Sequence, residues 1–180
     1  MEQLIEQINK LFNNKKSIVI AIDGKSCAGK TTLANKLKEV YDANVIHTDD
    51  FYLPKNLRTV YRLKEVGGHF DYDRLYNEVI RKLNKTLNIV SYDCKNDTFI
   101  EKEKLPKKRV TIIEGTYSMH PYLENYYDFA IFMNVDGDTQ LSRLKERNLD
   151  NYNDFIEKWI PYENRYLEVF KIKDKANIIL

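Results

Sequence analysis

The chain has 180 residues, 43% hydrophobic and 31% charged, which fits one globular domain of ordinary size and excludes a disordered chain. Its 29 basic and 27 acidic residues leave a net charge of +2, too balanced for a general nucleic-acid binder working on phosphates. Two cysteines, Cys27 and Cys94, exclude a disulfide-built fold, and the longest clean apolar run, residues 18–22, is far too short to cross a membrane.

The opening MEQLIEQINKLF carries Leu4, Ile5, Ile8, Leu11 and Phe12 at helical spacing. It is acidic, unlike a secretory signal, so a soluble cytoplasmic chain is expected. Residues 17–22 read as a buried strand, ended by Asp23-Gly24. A helix follows over residues 30–40, with Leu33, Ala34 and Leu37 facing inward. Residues 44–47 are a second strand, and residues 48–56 a polar loop. Residues 73–84 predict a helix whose stripe is Leu75, Val79, Ile80 and Leu83. Residues 88–92 and 98–101 predict a small hairpin across Lys95-Asn96-Asp97. Residues 110–113, 129–133 and 178–180 predict three more strands. Residues 138–147 and 154–171 predict helices, the second interrupted at Pro161. Buried strands alternating with helices predict an α/β fold of three layers, a mostly parallel sheet flanked by helices. The hairpin and a helical lid, about residues 143–160, complete a single domain over residues 1–180.

In such sheets ligands sit beyond the carboxyl ends of the strands. Asp23, Thr48-Asp49-Asp50 and Glu114 all fall there. Gly24-Lys25-Ser26-Cys27-Ala28-Gly29-Lys30-Thr31 matches G-x-x-x-x-G-K-[ST] and is followed by Thr32. The chemistry explains the spacing: consecutive backbone N–H groups wrap a phosphate, and glycines stand where a side chain would block it. The helix beginning near Lys30 turns its free N–H groups on the same anion. Lys30 then reaches the β and γ phosphates, and the Thr31 hydroxyl reaches Mg²⁺. Cys27 reads as a small filler with its backbone on phosphate, since no His or Asn partner makes it a nucleophile.

One carboxylate of Asp49-Asp50 is placed to take the proton of an attacking hydroxyl, against the plainer reading of an Asp pair capping a turn. Glu114, after a buried strand, is placed to help hold Mg²⁺. Asp23 is open between a helper and a turn residue. Arg143 and Arg147, four apart on one helix, can clamp phosphates or stand as a solvated face. His47, His69 and His120 are scattered and suggest no metal site.

A phosphate loop alone does not choose between a switch GTPase, a motor ATPase and a small-molecule kinase. The guanine reader N-K-x-D is missing: Asn35-Lys36-Leu37-Lys38 and Asn84-Lys85-Thr86-Leu87 both lack the Asp. A small kinase needs an acid, polar groups for its acceptor and an Arg-bearing lid, and all three are present. An ATP-binding regulatory module without transfer is the rival reading, opposed by the intact Lys30 and Asp49.

Beyond these, Asp49-Asp50-Phe51-Tyr52-Leu53-Pro54, Gly67-Gly68-His69-Phe70-Asp71-Tyr72-Asp73-Arg74, Tyr92-Asp93-Cys94 and Glu114-Gly115-Thr116-Tyr117-Ser118 follow one another in order. In that series the chain resembles the uridine kinase-like family of P-loop kinases, related to phosphoribulokinase, across residues 18–179. The resemblance implies transfer of the γ-phosphoryl group of ATP, with Mg²⁺, to a small-molecule acceptor. It implies Asp49 as base at a ribose 5′-hydroxyl, Asp71 on the ribose diol, and Tyr52 and Tyr92 beside the nucleoside. Arg143 and Arg147 become lid arginines, and Arg165 a further group over the acceptor. Uridine or cytidine is the first acceptor; nicotinamide riboside, pantothenate and ribulose phosphate are alternatives. Two departures stand out. The histidine that uridine kinases place after Tyr-Asp is missing from Cys94-Lys95-Asn96-Asp97, and the Glu-Arg-Gly-Arg lid run is absent. No nucleic acid or membrane partner is implied, and the oligomeric state, homo-oligomer included, is open.

Overall fold

The computed structural model describes residues 1–147 and 152–180. Five strands form one parallel sheet: β1 (Ile18–Gly24), β2 (Asn44–His47), β5 (Val110–Glu114), β6 (Phe129–Met133) and β7 (Ile178–Ile179), in the order β2-β5-β1-β6-β7. Alternation along β1 shows why both faces are covered. Ile18, Ile20 and Ile22 face one side, where Leu4 and Ile8 of α1 (Glu2–Leu11) and Leu33 and Leu37 of α2 (Lys30–Tyr41) pack on them. Val19 and Ala21 face the other, into a core with Phe51, Phe70, Leu75, Tyr117 and Tyr166. The three-layer α/β arrangement expected from the sequence is therefore present.

Strand β1 runs to Gly24, two residues beyond the predicted end, because Asp23 and Gly24 still pair with Phe132 and Met133. Only glycine fits there: at φ 134° a Cβ would lie 2.1 Å from the Met133 carbonyl oxygen. From β1 the chain crosses to β2 on one side, while β6 lies on the other. The crevice at the carboxyl end of β1 is thus the point where strand order reverses, which is where open α/β sheets bind ligands.

After β2 come single 3₁₀ turns at Thr48–Phe51 and Lys55–Leu57 and the short α3 (Val60–Lys64). The predicted helix over residues 73–84 is shorter. Helix α4 covers Tyr72–Glu78, and the regular helix ends at Val79 (φ −113°, ψ −67°). A 3₁₀ turn, Ile80–Lys82, follows, and the break lets the neighbours Val79 and Ile80 both enter the core. The hairpin is longer than expected: β3 (Leu87–Asp93) pairs with β4 (Thr98–Leu105), with a register shift that leaves Lys102 without an opposite residue.

Helix α5 (Gly137–Glu146) is capped by Asp136, whose carboxylate accepts from Thr139 N at 2.9 Å. The last helical stretch does not break at Pro161. One turn, α6 (Tyr152–Asp154), widens into a π-helical stretch, Phe155–Trp159, before α7 (Ile160–Val169). Proline has no N–H to give to the turn before it, and the widened stretch lies immediately ahead of it. Helix α8 (Ile172–Lys175) leads into β7. Part of the expected lid, residues 148–151, lies outside the described residues.

Candidate active site

The loop between β1 and α2 carries the phosphate motif. Cys27 and Gly29 hold positive φ, 62° and 93°, which curls the backbone into a concave run of N–H groups. Gly29 caps α2 without a side-chain hydrogen bond, so the first-turn N–H groups of Lys30, Thr31 and Thr32 face the cradle uncapped. Lys30 is buried, and its Nζ donates to the Gly24 and Lys25 carbonyls at 2.8 and 2.7 Å. An ammonium group folded onto neutral carbonyls, inside an anion-shaped loop, is what a phosphate would draw out. These features fit a nucleotide triphosphate.

Thr31 Oγ1 donates to Glu114 Oε1 at 3.0 Å, and His47 Nδ1 stands 2.5 Å from the same oxygen. That hydrogen bond raises the imidazole's pKa, and Glu114 is held between a hydroxyl and this imidazole. Thr31 and Glu114 together offer hard oxygens suited to Mg²⁺, and both line the cavity. Among the described residues no group of three or more His, Cys, Asp or Glu side chains could hold a metal by itself.

A cavity of about 420 Å³ joins this end to a second one. Its walls include Lys30, Asp49, Tyr52, Glu114, Trp159 and Glu163. Asp49 opens on the cavity and is exposed through it, with protein packed around the rest of its carboxyl. That packing weakens its hydration and pushes the carboxyl above the usual range, with Lys30 opposing the shift. Tyr52 Oη donates to Asp49 Oδ1 at 3.4 Å. Its neighbour Asp50 points away and pairs with Lys102 Nζ at 2.6 Å, the residue the hairpin's register shift leaves unopposed. The two aspartates therefore stand in different surroundings, one on the cavity and one in an ion pair with the hairpin.

Aromatic rings make the far wall. Trp159 stands 6.0 Å from Tyr52 and 5.4 Å from His69, centroid to centroid, and Tyr162 and Tyr117 pack on the same imidazole. His69 Nε2 has no hydrogen-bond partner among the described residues. Burial lowers its pKa to about 4, so the ring is neutral at pH 7. A second cavity, of about 640 Å³, lies across the phosphate loop, with Ala28, Thr32, Leu33, Arg143 and Arg147 in its wall. Arg143 donates to the Cys27 carbonyl at 2.9 Å, and Arg147 lines both cavities.

Three residues that the resemblance implied for the acceptor do not line this cavity. Asp71 is the cap of α4: its carboxylate accepts from Arg74 N at 3.0 Å and faces Arg74 Nε at 3.7 Å. Tyr92 is buried in the hairpin, its hydroxyl accepting from Lys55 N at 3.1 Å and donating to Asp97. Arg165 is exposed, because α7 turns Glu163 and Tyr166 inward and these leave position 165 on the outer face. Asp23, open in the sequence, is a fully buried tie. It accepts from Gly24 N, Met119 N and Tyr166 Oη at 2.6, 2.8 and 2.7 Å, and burial pushes its pKa to about 6.

Other site residues were not read from the sequence at all. Glu163 reaches the phosphate loop from α7, accepting from Ser26 N and Ser26 Oγ, each at 3.1 Å, and from Thr116 Oγ1 at 3.2 Å. Gln140 of α5 donates to Ser26 Oγ at 2.9 Å. The available signal was an acid three residues before Tyr166, on the inward stripe of a helix where acids are rare.

The profile of the "Phosphoribulokinase / Uridine kinase family" matches residues 19–152. A uridine kinase of Mycoplasma pneumoniae is 27% identical over 94% of this chain and 87% of its own length. One from Chlamydia pneumoniae is 27% identical over 86% of this chain and 72% of its own. A solved structure described as a possible uridine kinase from Bacillus stearothermophilus covers all of both chains, with a TM-score of 0.71 at 24% identity, which is a likeness of fold.

Proposed function

The chain belongs to the phosphoribulokinase/uridine kinase family of phosphotransferases, and from that premise we propose that it moves the γ-phosphoryl group of ATP to the 5′-hydroxyl of a pyrimidine ribonucleoside, uridine or cytidine. The observation that carries the reading is the shared cavity: the phosphate loop's Lys30 and the carboxylate of Asp49 line one space. A hydroxyl lodged between them meets a proton acceptor on one side and the phosphoryl group on the other.

Asp49 accepts a hydrogen bond from the acceptor hydroxyl and takes its proton as the oxygen attacks. Tyr52 donates to Asp49 and fixes its orientation. Lys30 leaves the Gly24 and Lys25 carbonyls and neutralises charge on the transferring group. Arg147, bordering both cavities, serves phosphates from the opposite side, and Arg143 braces the loop through the Cys27 carbonyl. Thr31 and Glu114 would hold Mg²⁺, which supplies charge neutralisation at the phosphates when bound. Ala28, Thr32 and Leu33 form the floor of the cavity we assign to the adenosine end.

Aromatic walls support an acceptor with a flat ring, since Tyr52, Phe155 and Trp159 offer faces to stack on. This favours a nucleoside over pantothenate or ribulose phosphate, which have no aromatic ring. Asp71, Tyr92 and Arg165 act outside the acceptor site in this reading. ATP turnover measured with a panel of uridine, cytidine, nicotinamide riboside, pantothenate and ribulose phosphate tests it. Turnover stimulated by uridine or cytidine above the others is expected; stimulation by a ring-free acceptor alone would overturn the nucleoside assignment.

A further inference from the structure

A carboxylate in a phosphate cradle is chemically out of place. Glu163 is buried, and its two oxygens accept from Ser26 N, Ser26 Oγ, Thr116 Oγ1 and, at 3.4 Å, Gln140 Nε2. These are the donor types that bind phosphate oxygens: a loop N–H, hydroxyls and an amide. The position within the cradle is also defined. Thr116 Oγ1 lies 3.2 Å from Glu163 Oε1 and 3.4 Å from Lys30 Nζ, the group that reaches the β and γ phosphates in this motif. Glu163 also shares the cavity of Asp49, whereas Arg143 and the wall formed by Ala28 and Leu33 lie on the other side. The carboxylate therefore stands at the γ end of the cradle, where phosphate and acceptor meet.

We propose that Glu163 is an internal surrogate for the γ-phosphate, which ATP must displace and ADP leaves in place, making Glu163 a determinant of triphosphate against diphosphate binding. This rests on the functional reading for the direction in which the nucleotide lies. Two anions cannot share donors at this spacing in an enclosed site without a large penalty. Burial already raises the carboxyl's pKa, in keeping with a site that disfavours further negative charge. Release has a path to a visible change. Helix α7 is anchored a second time by Tyr166 Oη on Asp23, so freeing Glu163 loosens the stretch before it, where Trp159 and Tyr162 cover Tyr52 and His69. Arrival of the γ-phosphate thereby opens the ring-lined end to the acceptor.

Trp159 is the chain's one tryptophan and reports this directly. Binding of Mg·ATP and Mg·ADP to the full chain is measured by calorimetry for wild type, Glu163→Gln and Glu163→Ala, with tryptophan emission recorded alongside. Both variants are expected to bind ATP about tenfold more tightly than wild type, with ADP affinity within about twofold. Their ligand-free emission is expected to resemble that of ATP-loaded wild type, which ADP does not reproduce. Weaker ATP binding in both variants, or equal shifts for ATP and ADP, would overturn the proposal and make Glu163 a structural strut. A wild type that binds ATP but phosphorylates no acceptor would defeat the functional reading and leave the displacement standing. Normal transfer by wild type with reduced ATP affinity in the variants would defeat the displacement alone.

Discussion

At the end of the cavity we assign to phosphate, most of the groups come from one unbroken run, Gly24 to Thr32, joined by Glu114 at the tip of the neighbouring strand and by Arg147. At the end we assign to the acceptor they come from three separate places: Asp49 and Tyr52 after β2, Tyr117 after β5, and Phe155 and Trp159 ahead of α7, with His69 packed behind Tyr52, Tyr117 and Trp159. The first end binds an anion with backbone N–H groups and a helix terminus, so its specification is local and periodic. The second end offers side-chain faces, and those are brought together only by packing. Change at the first end should therefore be abrupt and chemical. Change at the second should be graded and selective.

The largest expected effect lies at the phosphate end. Lys30→Ala should lower transfer by a factor of about 10²–10³, or ~3–4 kcal/mol of barrier. The fold should survive, because Lys30 contacts loop carbonyls and a hydroxyl and no core side chain. Turnover and a thermal melt on the same preparation check both halves, and a lost melt with retained turnover would contradict them.

Asp49→Asn comes next, with kcat down by about 10²-fold, the lower range of general-base contributions, and little change in ATP affinity. Asp50→Asn should do the reverse: near-normal transfer but a melt lowered by a few degrees. It removes the partner of a half-exposed Lys102, a loss of about 1 kcal/mol. The pH profile sharpens the distinction. Asp49 works ionised and its pKa is raised by the protein packed around it, so transfer should climb with pH through a midpoint above the ordinary aspartate value of about 3.9. That limb should vanish in Asp49→Asn and persist in Asp50→Asn.

At the acceptor end, Trp159→Ala should raise the acceptor KM by about tenfold, the equivalent of ~1.4 kcal/mol of ring contact, and leave the ADP affinity near wild type. Initial rates at varied acceptor and fixed ATP measure it, and a proportional loss in kcat alone would contradict a binding role.

The smallest effect separates a cap from a ligand. Asp71→Ala should cost about 1 kcal/mol of stability, a few degrees in the melt, by removing the acceptor for Arg74 N. The preference for ribonucleoside over deoxyribonucleoside should not move.

The same contrast explains what the sequence made legible. The sheet, the phosphate loop and the Thr31–Glu114 pair were visible because hydrophobic runs, glycines and strand-end acids are local signals. The hairpin was visible but short, since β4 is exposed along most of its length and its polar residues hide the pairing. The end of α4 was misjudged because Val79 and Ile80 fit a helical stripe as well as they fit a break. Asp71 could be read either as ligand or as cap; the cap is seen in its hydrogen bond from Arg74 N, a contact that only coordinates show. Glu163 escaped notice because an acid in a charged helix looks like surface until the neighbouring loop is known to touch it.

The central claim, that one cavity joins a phosphate donor to an acceptor hydroxyl at Asp49, is tested most directly by following ADP and phosphorylated nucleoside together. Wild type and Asp49→Asn are incubated with ATP, Mg²⁺ and uridine or cytidine. The account predicts equal amounts of ADP and nucleoside 5′-monophosphate from wild type, and a loss of both by about 10²-fold in the variant. ADP formed at the same rate without nucleoside, or product formed undiminished by Asp49→Asn, would contradict it.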